Sequence, residues 1–140
     1  MDLYLIRGLP NSGKSTLAKT LAPNANYAAD GYFELKALLL NISYPQAFER
    51  FRNEIGQAHE WCQEHVEAAL KDNVRAVAVA NTFTTFRELK HYLDLAVKYN
   101  YRVHVLTVER AHDGDNGHKV PDEAVKRMAE RWQFVDKRMR

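Results

Sequence analysis

The stretch Gly8-Leu9-Pro10-Asn11-Ser12-Gly13-Lys14-Ser15, followed by Thr16, decides the fold of this 140-residue chain. It matches the G-x-x-x-x-G-K-[ST] pattern of a phosphate-binding loop without a gap. The apolar run Leu3-Tyr4-Leu5-Ile6 before it predicts a buried strand, and Thr16 to Leu21 predict the first turns of a helix. Strand, loop and helix in this order are the context that the motif requires. The sequence therefore predicts a binding site for the phosphates of a nucleoside triphosphate.

Each part of this loop has a physical role. The glycines allow backbone N–H groups to point at phosphate oxygens, and the helix N-terminus adds a partial positive charge. Lys14 is the expected catalytic cation for the terminal phosphates, and the Ser15 hydroxyl is expected to ligate Mg²⁺. The alternative is a glycine-rich turn with a surface lysine. The predicted nucleotide-binding residues are Gly8, Pro10, Asn11, Ser12, Gly13, Lys14, Ser15 and Thr16.

Strands and helices alternate along the rest of the chain. Short or apolar strands are predicted over Tyr27–Ala29, Arg75–Ala80 and Tyr101–Val108. A polar loop over about residues 110–120 is the predicted lid, and Pro121 is expected to begin a C-terminal helix. This order indicates one three-layer α/β domain over residues 1–140, a P-loop NTPase fold with a mainly parallel sheet.

One long helix is predicted from Gln46 to Lys71, with an apolar stripe facing the sheet. His59 and His65 lie near that stripe, but six residues is a poor spacing for metal ligands, and we expect no structural metal. Trp61 lies off the stripe and either lines a groove or is a partly buried structural residue. The stripe consists of Phe48, Phe51, Ile55, Ala58, Cys62, Val66 and Ala69.

Asp30 follows the second predicted strand directly. Ligands of open α/β sheets bind outside the carboxyl ends of the strands, so Asp30 should face the phosphate loop. A carboxylate there can deprotonate an acceptor hydroxyl, or contact Mg²⁺ through water. The alternative is that Asp30 only caps the segment that begins at Gly31.

Composition narrows the class of protein. Hydrophobic residues make up 46% and charged residues 27% of the chain, the net charge is +2, and no run of eighteen apolar residues predicts a membrane span. Cys62 is the only cysteine, and a core strand starts within two residues of Met1. We therefore expect a cytoplasmic protein without a disulfide or a signal peptide. The basic residues near the C-terminus form either a solvated helix face or a surface that attracts an anionic substrate.

Taken together, these residues resemble the small P-loop kinases related to phage polynucleotide 5′-hydroxyl kinase and the similar ATP-binding domain of NEDD4-binding proteins. The resemblance implies that ATP and Mg²⁺ bind and that the γ-phosphate passes to a hydroxyl, most directly the 5′ end of a nucleic acid. It also implies that Asp30 is the general base. It is carried by Leu5 to Pro10, Ala29 to Phe33, Ala58 to Trp61, Asn81-Thr82, Lys119 to Pro121 and Arg127-Met128.

Three positions depart from that family pattern. The third strand ends in Ala80-Asn81 rather than in an aspartate, so that Asn81 can at most hold a water on Mg²⁺. Phe33 and Asp115 stand where arginines are expected. The open alternatives are a nucleotide-binding module with weak or no activity and a kinase of nucleosides or other small molecules. The candidate cations for the lid or substrate are Arg110, Lys119, Arg127 and Arg131.

Overall fold

The computed structural model of this chain describes residues 1–109 and 122–134. Four parallel strands form one sheet in the order β2-β3-β1-β4. Arg7 at the end of the central strand lies opposite Asn81 on one side and Thr107 on the other. The carboxyl ends of three strands therefore meet at one edge of the sheet. The strands are β1 (Asp2–Arg7), β2 (Asn26–Tyr27), β3 (Ala76–Asn81) and β4 (Arg102–Thr107).

Helices connect these strands and cover both faces of the sheet. None of the helices in the described part of the chain is long and apolar enough to cross a bilayer. A single 3₁₀ turn, Arg52–Glu54, separates two of them. The helices are α1 (Lys14–Leu21), α2 (Asp30–Leu40), α3 (Tyr44–Phe51), α4 (Ile55–Lys71), α5 (Phe86–Tyr99) and α6 (Asp122–Glu130).

Alternate residues of the central strands pack into two separate cores. Leu3 and Leu5 of β1 face α4 and α5, whereas Ile6 faces α1. On β3, Val77 and Val79 join the first core, and Ala78 and Ala80 join the second. A parallel sheet that is covered on both faces requires such continuously apolar strands. The predicted three-layer α/β fold with a parallel sheet is confirmed.

The predicted long helix from Gln46 to Lys71 is wrong as one element. The chain forms α3, a 3₁₀ turn and α4, because α3 packs on α2 while α4 packs on the sheet and α5 as well as on α2. The stripe is correspondingly split. Phe48 and Phe51 join a small cluster around Phe33, and Ile55 is 46% exposed.

One further expectation needs correction. The second strand covers only Asn26–Tyr27, and Asp30 opens α2 instead of following a longer strand. On α5, Tyr92 is buried in the core, whereas Val97 is 83% exposed. A 100° step per residue places these two side chains on different sides of the helix.

The predicted C-terminal helix is present as α6, and Trp132 follows it. Val125 and Met128 are partly buried on α6. The predicted lid loop over about residues 110–120 and Pro121 lie outside the described residues.

Candidate functional site

The loop between β1 and α1 has the backbone shape of an anion cradle. Asn11 and Gly13 adopt left-handed conformations, with φ values of 64° and 97°. Left-handed residues beside right-handed ones turn neighbouring N–H groups toward a common centre. Gly13 directly precedes α1, whose first turn carries no acidic residue to offset the helix dipole. This loop therefore favours an anion at the N-terminus of α1.

The interior of the loop also fits a phosphate. A Cβ atom on Gly8 would clash with Ser12 Oγ and lie 2.8 Å from the Val108 carbonyl oxygen, so only glycine fits there. Asn11 Nδ2 and Ser12 Oγ are buried, and neither finds a hydrogen-bond partner among the described residues. Because buried polar atoms are normally satisfied, these two donors suit the oxygens of a bound phosphate.

Lys14 is the first residue of α1 and is partly buried. Its Nζ donates to the Leu9 carbonyl oxygen at 3.3 Å. Burial lowers the pKa of Lys14, and the negative charge of Asp30 partly opposes that shift. The ammonium and the carboxylate therefore interact across the mouth of the loop, where the terminal phosphates of a nucleotide would lie.

Asp30 is held in place by its neighbours on two other elements. The Tyr44 hydroxyl of α3 donates to Asp30 Oδ1 at 3.0 Å. Burial, and then the charge of Asp30, raise the pKa of Tyr44, so the phenol stays protonated and remains a donor. The Ala29 N–H donates to Asn81 Oδ1 at 2.8 Å and thereby ties the start of α2 to the end of β3. These contacts fix the direction of the Asp30 carboxylate.

This arrangement changes the interpretation of Asn81. The sequence suggested that its amide could hold a water on Mg²⁺. In the structure the side chain is buried, its Oδ1 accepts from Ala29, and its Nδ2 lies 3.9 Å from Cys62 Sγ. Asn81 therefore positions the residue before Asp30, and that contact occupies its amide oxygen.

Phe33, which stands where the family pattern has an arginine, is completely buried. It packs among Ala29, Ala58 and Phe48 in the cluster between α2, α3 and α4. No side chain at this position could contact a substrate without leaving that cluster. Phe33 therefore has a packing role between α2, α3 and α4.

An open pocket of about 570 Å³ adjoins the loop and runs between α1, β2 and α2. Ser15 and Asp30 both line it, and Trp61 of α4 forms part of its far wall. The groove that the sequence suggested beside Trp61 is therefore present. Ala80, at the end of β3, lies at its floor with only 5% exposure.

The donors around this pocket suit Mg²⁺. Mg²⁺ is typically bound by one or two protein oxygens and by the phosphates of its substrate. The Ser15 hydroxyl and the Asp30 carboxylate supply such oxygens in one pocket. Within residues 1–109 and 122–134 no group of three or more His, Cys, Asp or Glu side chains could hold a metal. The donor set therefore fits a magnesium ion that is shared with nucleotide phosphates.

Arg7 is a charged residue at a core position, next to the loop. It follows Leu3 and Leu5 on the same face of β1 and is completely buried. Its Nε and Nη2 donate to the Phe83 carbonyl oxygen at 3.0 and 2.7 Å. Phe83 has a φ of 47°, a left-handed conformation that is costly for a bulky residue. Arg7 therefore holds the strained turn that follows β3.

The same guanidinium holds the segment after α6. Its Nη2 donates to the Gln133 carbonyl oxygen at 2.5 Å, and its plane lies over the Trp132 ring, 4.1 Å from the centroid. The Gln133 N–H donates to the Thr84 carbonyl oxygen at 2.6 Å. Arg131 Nε donates to Thr84 Oγ1 at 3.1 Å. Residues 131–134 thus dock on the turn after β3, beside the phosphate loop.

The four candidate cations have different outcomes. Arg131 lies against the turn after β3, and Arg127 is exposed on α6. Neither is among the residues that line the pocket. Arg110 and Lys119 fall outside the described residues, as does Asp115.

Sequence reasoning missed Tyr44 and the structural role of Arg7. Tyr44 is the first residue of α3, and its contact with Asp30 joins α3 to α2. Arg7 contributed only to the family resemblance, although a charged residue at the end of a buried strand is a signal in itself. Such a residue requires partners, and these partners lie more than seventy residues away in the chain.

This chain is similar to several known proteins. Human NEDD4-binding protein 2 is 32% identical over 106 residues, which are 72% of this chain and 5% of that protein. A candidate kinase from Chloroflexus aurantiacus has a TM-score of 0.60 at 17% identity, covering 76% of this chain and 58% of the other, and shows the shared fold. A chain of the Pnkp1/Rnl/Hen1 RNA repair complex has a TM-score of 0.47 at 20% identity, covering 99% and 41%, which is too weak to carry an argument.

The chain spans well under two thirds of each of these proteins. A family model described as an AAA domain, AAA_33, matches residues 3–135, which is almost the whole sequence. That match includes the phosphate loop, Asp30 and the end of β3. The chain therefore belongs to the AAA_33 family of AAA domains, with a P-loop nucleotide-binding fold.

Proposed function

We propose that this protein is a phosphotransferase that moves the γ-phosphate of ATP to the hydroxyl of an acceptor. The observation that carries this proposal is the convergence of Ser15 and Asp30 on one pocket, with Lys14 beside it. A module that only held a nucleotide would need the loop and Lys14. It would not need a carboxylate oriented by a phenol across an open pocket.

In this mechanism the loop N–H groups and Lys14 bind and orient the terminal phosphates. Mg²⁺, when bound with Ser15 and the phosphates, would supply further neutralisation of their charge. Asp30, held through Oδ1 by Tyr44, orients the acceptor hydroxyl and takes its proton. The new bond joins the acceptor oxygen to the γ-phosphorus, and the bond to the β-phosphate oxygen breaks, so that ADP leaves.

The acceptor class is open between two candidates from the sequence. The 5′-hydroxyl of a polynucleotide is what the family resemblance implies, and exposed Lys126 and Arg127 on α6 would attract a polyanion. A nucleoside or other small alcohol is the second candidate.

A nucleotide-binding module with little or no transfer is the competing function. It is favoured by the end of β3, where Ala80 and Asn81 provide no carboxylate near the loop. This feature weakens metal binding relative to a site with two carboxylates.

The test uses ATP labelled at the γ-phosphate with Mg²⁺ and either 5′-hydroxyl oligonucleotides or pooled nucleosides. We expect label on an acceptor, and we expect Asp30→Asn to lower the rate about 10²–10⁴-fold, the usual contribution of a general base. The matched control is Asp72→Asn, which changes an exposed aspartate at the end of α4. ATP binding without transfer to any acceptor would favour the competing module instead.

A further inference from the structure

Phosphotransfer chemistry explains only one end of the pocket. Ser15 and Asp30 mark that end, but most of the wall beyond them is apolar. Its volume of about 570 Å³ lies within the range of about 300–1,000 Å³ that is usual for small-molecule sites. The remaining wall should therefore reflect the body of the acceptor.

Two aromatic residues, Tyr27 and Trp61, line the pocket, and Trp61 is held firmly. It lies in contact with His65 on its own helix, with ring centroids 4.4 Å apart, and edge-on to Tyr32 at 6.4 Å. A Cβ atom on Gly31 would lie 2.8 Å from Trp61 Cη2, so the indole approaches the α2 backbone closely. A rigid, partly exposed indole that lines a pocket is a stacking surface for a flat ring.

The aliphatic part of the wall is Leu35 and Leu38 of α2. They are 43% and 77% exposed, and both line the pocket. Three residues apart on a helix, they present one continuous apolar surface. Exposed leucines that border a ligand pocket are covered when an apolar ligand body occupies it.

The charges of the wall oppose a phosphorylated acceptor. Asp30 and Glu34 line the pocket one helical turn apart, and Lys19 is the one basic residue among its described lining. A phosphate group carried by the acceptor close to its reacting hydroxyl would be repelled by both carboxylates. Phe33, where a compensating arginine would stand, is buried in another cluster.

We propose that this pocket binds an uncharged alcohol with a flat ring, of the nucleoside class, as the phosphate acceptor. Its ring lies against Trp61 and the two leucines, and its hydroxyl points to Asp30. This inference rests on the proposed phosphotransfer, and it selects a nucleoside over a polynucleotide end.

The test compares uridine and adenosine with their 3′-monophosphates. These keep the 5′-hydroxyl and add only the 3′-phosphate, which is the first phosphate that the 5′ end of a polynucleotide carries. Binding is measured by calorimetry on the full chain, saturated with Mg²⁺ and a non-hydrolysable ATP analogue. We expect the nucleosides to bind at least about tenfold more tightly than their monophosphates. We expect Trp61→Ala to weaken nucleoside binding about 5- to 150-fold, the usual contribution of base stacking on an aromatic side chain.

Two further variants separate charge from folding. Glu34→Gln should increase the affinity for the 3′-monophosphates. It should thereby reduce the difference in affinity between each nucleoside and its 3′-monophosphate. Glu64→Gln, on an exposed position of α4 outside the pocket lining, should leave all affinities unchanged. If Trp61→Ala fails to fold, Glu34→Gln alone still decides the charge argument.

Equal or tighter binding of the 3′-monophosphates would overturn the inference, as would the absence of nucleoside binding. Phosphate transfer to oligonucleotides alone would overturn it while leaving the proposed phosphotransferase in place. Nucleoside binding without any transfer would retain this ligand class and remove the phosphotransferase.

Discussion

Replacing Arg7 with methionine tests how the phosphate-loop strand is joined to the rest of the molecule. The change removes the donors to the Phe83 and Gln133 carbonyl oxygens and the cation above Trp132. A buried polar group that loses its partner costs about 1–3 kcal/mol, and a cation–π contact contributes about 0.5–2 kcal/mol. The apolar contacts of methionine offset part of this loss of stabilising free energy. We therefore expect the free energy of unfolding to fall by about 3–5 kcal/mol.

The assay is urea unfolding monitored by circular dichroism. It gives the midpoint of the transition and the slope of the unfolding free energy against urea concentration. The control is Arg75→Met, an exposed arginine just before β3, for which a change within about 0.5 kcal/mol is expected. A loss for Arg7→Met no larger than for this control would refute the reasoning.

The free energy of unfolding of a domain is usually about 5–15 kcal/mol in total, so the loss predicted for Arg7→Met is large enough to prevent this variant from folding. A milder variant, Trp132→Ala, keeps every hydrogen bond of the guanidinium and removes only the ring beneath it. We expect it to cost about 1–2 kcal/mol. No measurable loss in this variant would contradict the role given to the stacked pair.

Two further predictions address the site, and a third addresses the pH dependence of stability. Lys14→Ala should weaken ATP binding about tenfold or more while the fold is retained; unchanged affinity in calorimetry would contradict the assigned loop. Tyr44→Phe should lower kcat about tenfold without altering ATP affinity, because only the orientation of Asp30 changes; a parallel loss of both would indicate a structural role instead. Burial lowers the pKa of His59 below its unfolded value of about 6.5, so the unfolded chain binds more protons as the pH falls and the native state loses stability. Between about pH 7 and 5, the free energy of unfolding of His59→Asn should therefore fall less than that of the unchanged protein. The control His91→Asn, at an exposed position, should lose as much as the unchanged protein. Identical pH dependence of the unfolding free energy in both variants would exclude His59 as the origin of the effect.

The features that were predictable from sequence are those encoded by neighbouring residues. The apolar run from Leu3 to Ile6 and the motif from Gly8 to Ser15 together specify the strand, turn and helix of residues 2–21, and the apolar run of β3 marks a central strand. A capping pattern from Thr85 to Glu88 stands at the start of α5, where Glu88 Oε2 accepts from the Thr85 N–H at 2.7 Å. Each of these signals is local.

The features that escaped prediction depend on distant contacts. The apolar period continues through Phe51 and Ile55, but α3 packs on α2, whereas α4 packs on α2, α5 and the sheet, and the helix breaks at a 3₁₀ turn. The positive φ of Phe83 has no local cause, since phenylalanine disfavours it, and only Arg7 explains how it is held. Tyr44 finds Asp30 because two helices cross, and no spacing along the chain encodes that contact.

Gly31 is the second residue of α2, and its missing side chain is what lets the indole of Trp61 lie so close to that helix. A methyl group there would lie 2.8 Å from Trp61 Cη2, so the indole would have to shift against His65 and Tyr32, which contact it. Because this indole also lines the pocket, one carbon atom on α2 decides where an aromatic surface that belongs to α4 can stand.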